Sequence, residues 1–236
     1  MPYAAYCAAT LGAARDTTLY LESMQLIDIH THTAREEASV FNSTADSTTA
    51  GICSIGIHPW DIDDCWEERI AAIEKRAAEA NVVAIGECGF DLLKATATAG
   101  TQRAVFEAHV RISERNGKPL IIHLVKGAEL LLKAAKEIPH KQAWIIHGFR
   151  GKEEQAAQLL RAGFYLSFGE KFNSDTVKSV PLERIFIESD ESNSPIASIY
   201  ENIAQAKGIS INELATAIKE NATRCNINLR TLKVQY

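Results

Sequence analysis

Pro119-Leu-Ile-Ile-His123 and Ala143-Trp-Ile-Ile-His147 are short apolar runs that each end in a histidine. Between them, Gly127 to Ile138 sets apolar residues at helical spacing with charged residues opposite. Strand, amphipathic helix, strand is the signature of a parallel βα unit, and the alternation continues in both directions. Strands are expected over residues 25–30, 51–57, 82–87, 119–123, 143–147, 164–168 and 184–188, with a further short one at 39–43. Helices are expected over 64–80, 100–116, 127–138 and 152–162, with Asn116-Gly117 and Ala162-Gly163 as stops for two of them. Two more, 194–207 and 211–221, follow the last strand and are joined by Gly208-Ile-Ser-Ile, with Ser210 as N-cap. No internal repeat, low-complexity linker or composition break divides the chain, so residues 24–236 read as one domain.

Composition supports a single large core. Of 236 residues, 46% are hydrophobic and 23% charged, and 25 basic against 30 acidic side chains leave a net charge of −5. Those proportions exclude a disordered chain, and no apolar run approaches the ~20 residues needed to cross a bilayer. Closed α/β barrels commonly reach about 250 residues as one unit. No Lys or Arg precedes Arg15 to form a signal-peptide n-region, so a cytoplasmic protein is expected. The five cysteines are scattered without CxxC spacing, which argues against a disulfide framework and a structural zinc knot. The acidic balance gives no electrostatic footprint for tight duplex binding, although a locally basic cleft remains compatible with it. Residues 1–23 are Ala-rich and end at Met24, the only methionine besides Met1. They read either as a helical extension packed on the body or as an artefact of start assignment, and as peripheral in both cases.

The chemistry lies at the carboxyl ends of the apolar runs: Asp28-Ile-His30-Thr-His32, Ile57-His58-Pro59, Ile85-Gly86-Glu87, His123, His147 and Glu188-Ser189-Asp190. In a closed parallel barrel these ends converge on the face that carries the active site. His30 and His32, two apart on an extended segment, point to the same side and can chelate one ion together. A single histidine closing an apolar run is more often a core or loop residue than a ligand. The set is different: four histidines, a glutamate and an aspartate exceed what one zinc takes. They suit a binuclear site about 3.5–4 Å across, bridged by a carboxylate. Ligands without thiolate also favour an open, catalytic site over a closed structural one.

In this order and spacing the motifs resemble the TatD family of metal-dependent hydrolases, within the amidohydrolase-like barrel group, from Met24 to Asn226. The resemblance rests on Asp28-Ile-His-Thr-His32, Gly56-Ile-His-Pro59, Ala84-Ile-Gly-Glu-Cys-Gly-Phe-Asp91, Gln102 to Phe106, Pro119-Leu-Ile-Ile-His123, His147-Gly-Phe-Arg-Gly151, Glu188-Ser-Asp190, Lys207-Gly-Ile-Ser210 and Glu220-Asn-Ala-Thr-Arg224. It implies an α/β fold of TIM type, a (β/α) barrel, distorted and shortened in its early βα units because the stretch from His32 to His58 is much shorter than the family norm. It further implies two divalent metal ions (zinc, magnesium or manganese). His30, His32 and Asp190 would hold one, His123 and His147 the second, and Glu87 would bridge them. Asp190 and Glu87 are then the catalytic carboxylates, Asp190 taking the proton of the attacking water.

Substrate contacts are expected from His58, in the family's Gly-x-His-Pro motif, and from three cations. Lys126 stands near the place where the family usually has an arginine. Arg150 replaces a small serine and could supply the missing bidentate fork, and Lys171 could add a second charge. The bland reading of these groups is a loop histidine fixed before Pro59 and solvated loop cations. His109 and His140 are expected to be structural or exposed; Trp60, Trp66 and Trp144 could stack on a base, but two flank loops and one opens a strand, so packing is the default reading. The family's usual assignment makes the expected reaction phosphodiester hydrolysis, with DNA as partner, by a 3′ exonuclease-like DNase. The rivals are a small phosphoester, amide or ester on the same metals, and a non-catalytic barrel scaffold. The polymerase and histidinol phosphatase family also opens with Asp-x-His-x-His-Thr, as Asp28 to Thr33 does, but Ile85-Gly-Glu87 and Glu188-Ser-Asp190 fit TatD better.

Overall fold

The computed structural model describes residues 25–33, 38–47, 49 and 51–229. The expectations for residues 1–23 lie outside them. Eight strands form where β-branched and other apolar residues cluster: β1 Ile27–Thr31, β2 Ala38–Ser43, β3 Cys53–Ile55, β4 Val82–Asp91, β5 Leu120–Val125, β6 Trp144–Ile146, β7 Tyr165–Phe168 and β8 Ile185–Ile187. All neighbours are parallel and the sheet order follows the chain from β1 to β8. One bridge, Thr31 to Asp190, returns β8 to β1 and nearly closes the ring into a TIM-type barrel.

Seven helices are described: α1 Trp66–Arg76, α2 Ala99–Asn116, α3 Ala128–Glu137, α4 Glu153–Arg161, α5 Ser174–Ser179, α6 Ile196–Lys207 and α7 Ile211–Arg224. The expected stops and cap form: Gly117 is left-handed after α2, α4 ends before Ala162-Gly163, and the Ser210 hydroxyl accepts from the Glu213 amide; Gly208 is also left-handed after α6. Helix α5 was not expected. Its signal was Asn173, whose side chain caps the Asp175 and Thr176 amides. Among the described residues no helix is long and apolar enough to cross a membrane.

The early units are shortened, as expected. Thr31 and Ala38 are linked by only six residues, where parallel strands ordinarily need a crossover of a dozen or more. Among the described residues no helix lies between β1 and β3. Side chains from further along the chain secure the β2–β3 loop instead. One guanidinium nitrogen of Arg76 donates to the carbonyls of Thr44, Ala45 and Ser47, and Asn81 donates to those of Thr49 and Gly51. The seam between β1 and β8 is stitched by buried polar groups. Asp28 accepts from the Ser189 amide at 2.9 Å and from its hydroxyl at 2.6 Å, and Tyr200 on α6 bonds both backbone groups of Ile27.

Trp144 packs edge-on to Phe106 and parallel to Phe164, with ring centroids 5.1 and 5.7 Å away, as a core residue. Trp66 is also partly buried against the core. Trp60 departs from the packing expectation and is 46% exposed. His109 is structural and wholly buried. Its ring contacts the Val105 carbonyl through Nδ1 at 2.8 Å, while Nε2 accepts from the Ile57 amide at 3.0 Å. It thereby ties α2 to the segment that enters His58.

Burial disfavours the imidazolium of His109 and pushes its pKa from 6.5 down to about 4. Between those values the unfolded chain binds a proton that the folded chain does not. Stability therefore falls as pH is lowered from about 6.5 to about 4, by up to about 3 kcal/mol. His109→Gln removes this contribution, so urea melts at pH 7, 5.5 and 4 should give a flatter profile than wild type. Parallel profiles would show that the folded His109 titrates normally.

Candidate metal centre

Two irregularities aim the strands that carry the central candidate ligands. Between Asp28 and Thr31, β1 advances three residues while β2 advances two from Ser39 to Phe41. Between Ile85 and Cys88, β4 advances three while β5 advances two from Leu120 to Ile122. Such bulges redirect side chains, and here they flank His30 and Glu87. Glycine permits the second one. Gly86, which lies inside it, has φ +130°, and a Cβ there would clash with the Ile121 carbonyl oxygen.

Glu87 is the hub. Its Oε2 lies 3.3 Å from His30 Nε2 and 3.4 Å from His32 Nε2. Its Oε1 lies 2.8 Å from His123 Nδ1 and 2.7 Å from His147 Nε2. Asp190 Oδ1 stands 3.9 Å from His30 Nε2 and 3.7 Å from His32 Nε2. All six residues expected as ligands therefore meet at one end of the barrel. His58 stands among them, its Nε2 3.3 Å from Glu87 Oε1 and 3.2 Å from His123 Nδ1. Its Nδ1 accepts from the Trp60 amide, which fixes the ring at the start of a 3₁₀ turn over Pro59–Asp61.

Burial alone would push the Glu87 carboxyl up, but His147, His123 and His30 outweigh it and hold the group far below the usual carboxylate range. Burial works against the His147 imidazolium, and Glu87 and Glu188 outweigh it, raising its pKa well above the ordinary value. The Glu87 hydrogen bond raises that of His32 as well, against burial.

The donor set fits divalent cations. His30 is wholly buried, yet neither of its ring nitrogens makes a hydrogen bond, an arrangement that is costly unless something else takes those lone pairs. Four trios bring candidate ligand atoms within 4.8 Å of one another: His30, Glu87 and His147; His30, His32 and Asp190; His58, Glu87 and His123; His147, Glu188 and Asp190. Imidazole and carboxylate suit zinc, manganese or magnesium according to geometry.

Three supporting residues escaped the sequence reading of the site. Asn42 on β2 donates to Glu87 Oε2 at 3.1 Å and accepts from the Glu87 amide at 3.2 Å, gripping the hub at both ends. Asp91 Oδ2 lies 3.3 Å from His123 Nε2, on the side of the ring away from Glu87. Glu188, wholly buried, accepts from the Gly148 amide at 2.6 Å and lies 3.6 Å from His147 Nδ1. Such outer partners set the tautomer and orientation of a ligating imidazole.

Beside Asp190 opens a polar cleft of about 760 Å³, walled by the loops after β6, β7 and β8 and lined by both Arg150 and Lys171. Neither cation makes an ion pair among the described residues. Glu170 and Glu191 line the same cleft, Glu170 held by the hydroxyls of Ser192 and Ser194. Lys126 is exposed beyond β5 and is not among the lining residues, so the structure does not group it with the other two cations.

Residues 23–226 match the family model described as TatD related DNase. YabD, an uncharacterized metal-dependent hydrolase of Bacillus subtilis strain 168, is 32% identical over 192 residues, covering 72% of this chain and 75% of the relative. A protein of Enterocytozoon bieneusi strain H348, named as a candidate deoxyribonuclease, is 26% identical over 198 residues, 78% of this chain and 71% of the other. The crystal structure of YjjV, a TatD homolog from Escherichia coli K12, superposes with a TM-score of 0.69 at 18% identity, over 86% of this chain and 98% of that one, and so shares the fold. A family match over most of the chain, with the identity to YabD, places it: this protein belongs to the TatD family of metal-dependent hydrolases.

Proposed function

We propose that the site holds two divalent cations and cleaves phosphodiester bonds, with a single-stranded 3′ end of DNA as substrate. The observation that carries this reading is the division of Glu87, one carboxylate oxygen facing His30 and His32 and the other facing His123 and His147. His30, His32 and Asp190 form the set for one cation, His123 and His147 the set for the other, and Glu87 spans them. When bound, such a pair lowers the pKa of water toward neutrality and polarises a phosphoryl oxygen.

Asp190 is the proton acceptor in this scheme. Its carboxylate is 24% exposed and lines the cleft, while its backbone is pinned by hydrogen bonds to His30 and His32. The water oxygen bonds to phosphorus, the P–O3′ bond breaks, and the proton taken by Asp190 passes to the leaving oxygen. His58, beside His123, is placed to contact the phosphoryl group. Arg150 offers a planar fork and Lys171 a point charge to the phosphate that follows in the strand, and Lys126 could meet only a phosphate outside the cleft. The name of the E. bieneusi relative supports a nuclease. Glu170 and Glu191 on the same rim, and a net charge of −5, favour one flexible strand end over a gripped duplex. The same two acids favour, as the second reading, a small phosphoester that presents a single phosphate.

Metal-loaded protein should shorten 3′-labelled single-stranded DNA. His30→Ala should abolish the shortening, and Asp190→Ala should slow it by roughly 10²–10⁴-fold. No shortening by a demonstrably metallated protein would move the substrate to a small ester. Removing both Arg150 and Lys171 as alanines should raise KM more than it lowers kcat and flatten the dependence of log(kcat/KM) on log salt by about 0.7 per lost cation. An unchanged salt slope would remove them from the phosphate path. Glu188→Gln and Asn42→Ala should each weaken zinc binding by roughly 10–100-fold in chelator competition while the far-UV spectrum is kept. Wild-type affinity in both would leave these residues a purely structural role.

A further inference from the structure

The large apolar side chains exposed among the described residues are Trp60 at 46%, Leu92 at 46% and Leu93 at 68%, and they are neighbours. Asp91 joins them: its Oδ2 accepts the Trp60 indole N–H at 2.6 Å and its Oδ1 accepts the Leu93 amide at 2.8 Å. The same Oδ2 faces His123 Nε2, so the apolar patch shares a carboxylate with a candidate metal ligand. The indole centroid lies 4.7 Å from that of His58 and 5.9 Å from that of His123. An exposed tryptophan held by a short hydrogen bond is rigid, and ordering it against a ligand costs little further entropy.

The candidate centre thus has two unlike flanks. On the β3–β4 side stand Trp60, Leu92 and Leu93. On the β6–β8 side stands the polar cleft with Arg150 and Lys171. We infer that Trp60 is a specificity-determining platform on which an aromatic ring of the substrate, a nucleobase, stacks while the phosphate chain runs toward Arg150. This deepens the phosphodiester reading and rests on it. The ammonium of Lys94 lies 4.7 Å over the indole. An exposed cation–π contact is weaker than the stacking of a base on an indole, so an arriving base displaces the ammonium toward its own phosphate. Stacking reads every base alike, so the platform selects for nucleotides as a class and not for sequence.

The test uses the full chain loaded with zinc, with adenosine 5′-monophosphate and ribose 5-phosphate as probes in equilibrium dialysis and in tryptophan fluorescence. Trp60 is the exposed fluorophore, so the nucleotide should quench wild-type emission and ribose 5-phosphate should not. Trp60→Ala should bind the nucleotide about tenfold more weakly, with its affinity for ribose 5-phosphate within twofold of wild type. Trp60→Phe keeps a stacking ring but lacks the indole N–H, so it should stay within threefold of wild type for the nucleotide while losing the quench. Wild-type protein that binds both probes equally, or equal losses for both in Trp60→Ala, would overturn the platform. Failure of the parent reading would show separately, as a metallated protein that distinguishes the two probes yet hydrolyses no phosphodiester.

Discussion

A buried carboxylate ringed by imidazoles organises this molecule. Removing a carboxylate from water costs several kcal/mol unless partners surround it, and Glu87 is 97% shielded at the end of a barrel made mostly of Ile, Val, Leu and Phe. Its partners arrive from β1, β3, β5 and β6 or the loops just beyond them, with Asn42 of β2 holding both its side chain and its amide. Of those strands only β5 and β6 are direct neighbours, so the ring is what brings all four together. The bulge in β4, the glycines beside it and the convergence of strand ends all serve to bring one acidic side chain within reach of five bases.

Much of the barrel was legible because its strands are short apolar runs and its helices are amphipathic. Seven strands fall within a few residues of expectation, and the eighth, β2, lies where a further short one was expected. β4 is the exception in length: the expected strand stops at Glu87, yet it runs on to Asp91, with Gly86 and Gly89 placed where the neighbouring backbone comes too close for a Cβ. Helix α5 was illegible for the opposite reason. Its six residues, Ser-Asp-Thr-Val-Lys-Ser, are too few and too polar to show a periodicity, and only the Asn173 cap announces it.

The meeting of the six candidate ligands was legible because histidines and carboxylates at strand ends have one common meeting point. Its supports were not. Asn42 looks like an ordinary polar residue in a weak strand, and only the register of β2 against β1 and β3 carries it to Glu87. Asp91 and Glu188 sat inside quoted motifs without a role, because which nitrogen of an imidazole they face is a three-dimensional fact. Trp60 was misjudged by base rate: a loop tryptophan is usually packed, and this one is turned outward by a hydrogen bond to a residue 31 positions away.

The way the ring closes has a mechanical consequence. Seven of the eight joints between strands are ladders, but the eighth is a single bridge from Thr31 to Asp190, reinforced by Ser189 on Asp28 and flanked by a link of only six residues between β1 and β2. A hoop opens at its thinnest joint, and here that joint carries His30, His32 and Asp190. Opening the barrel at that joint would displace the candidate proton acceptor, and anything that clamps those three side chains together would also act as the buckle of the fold.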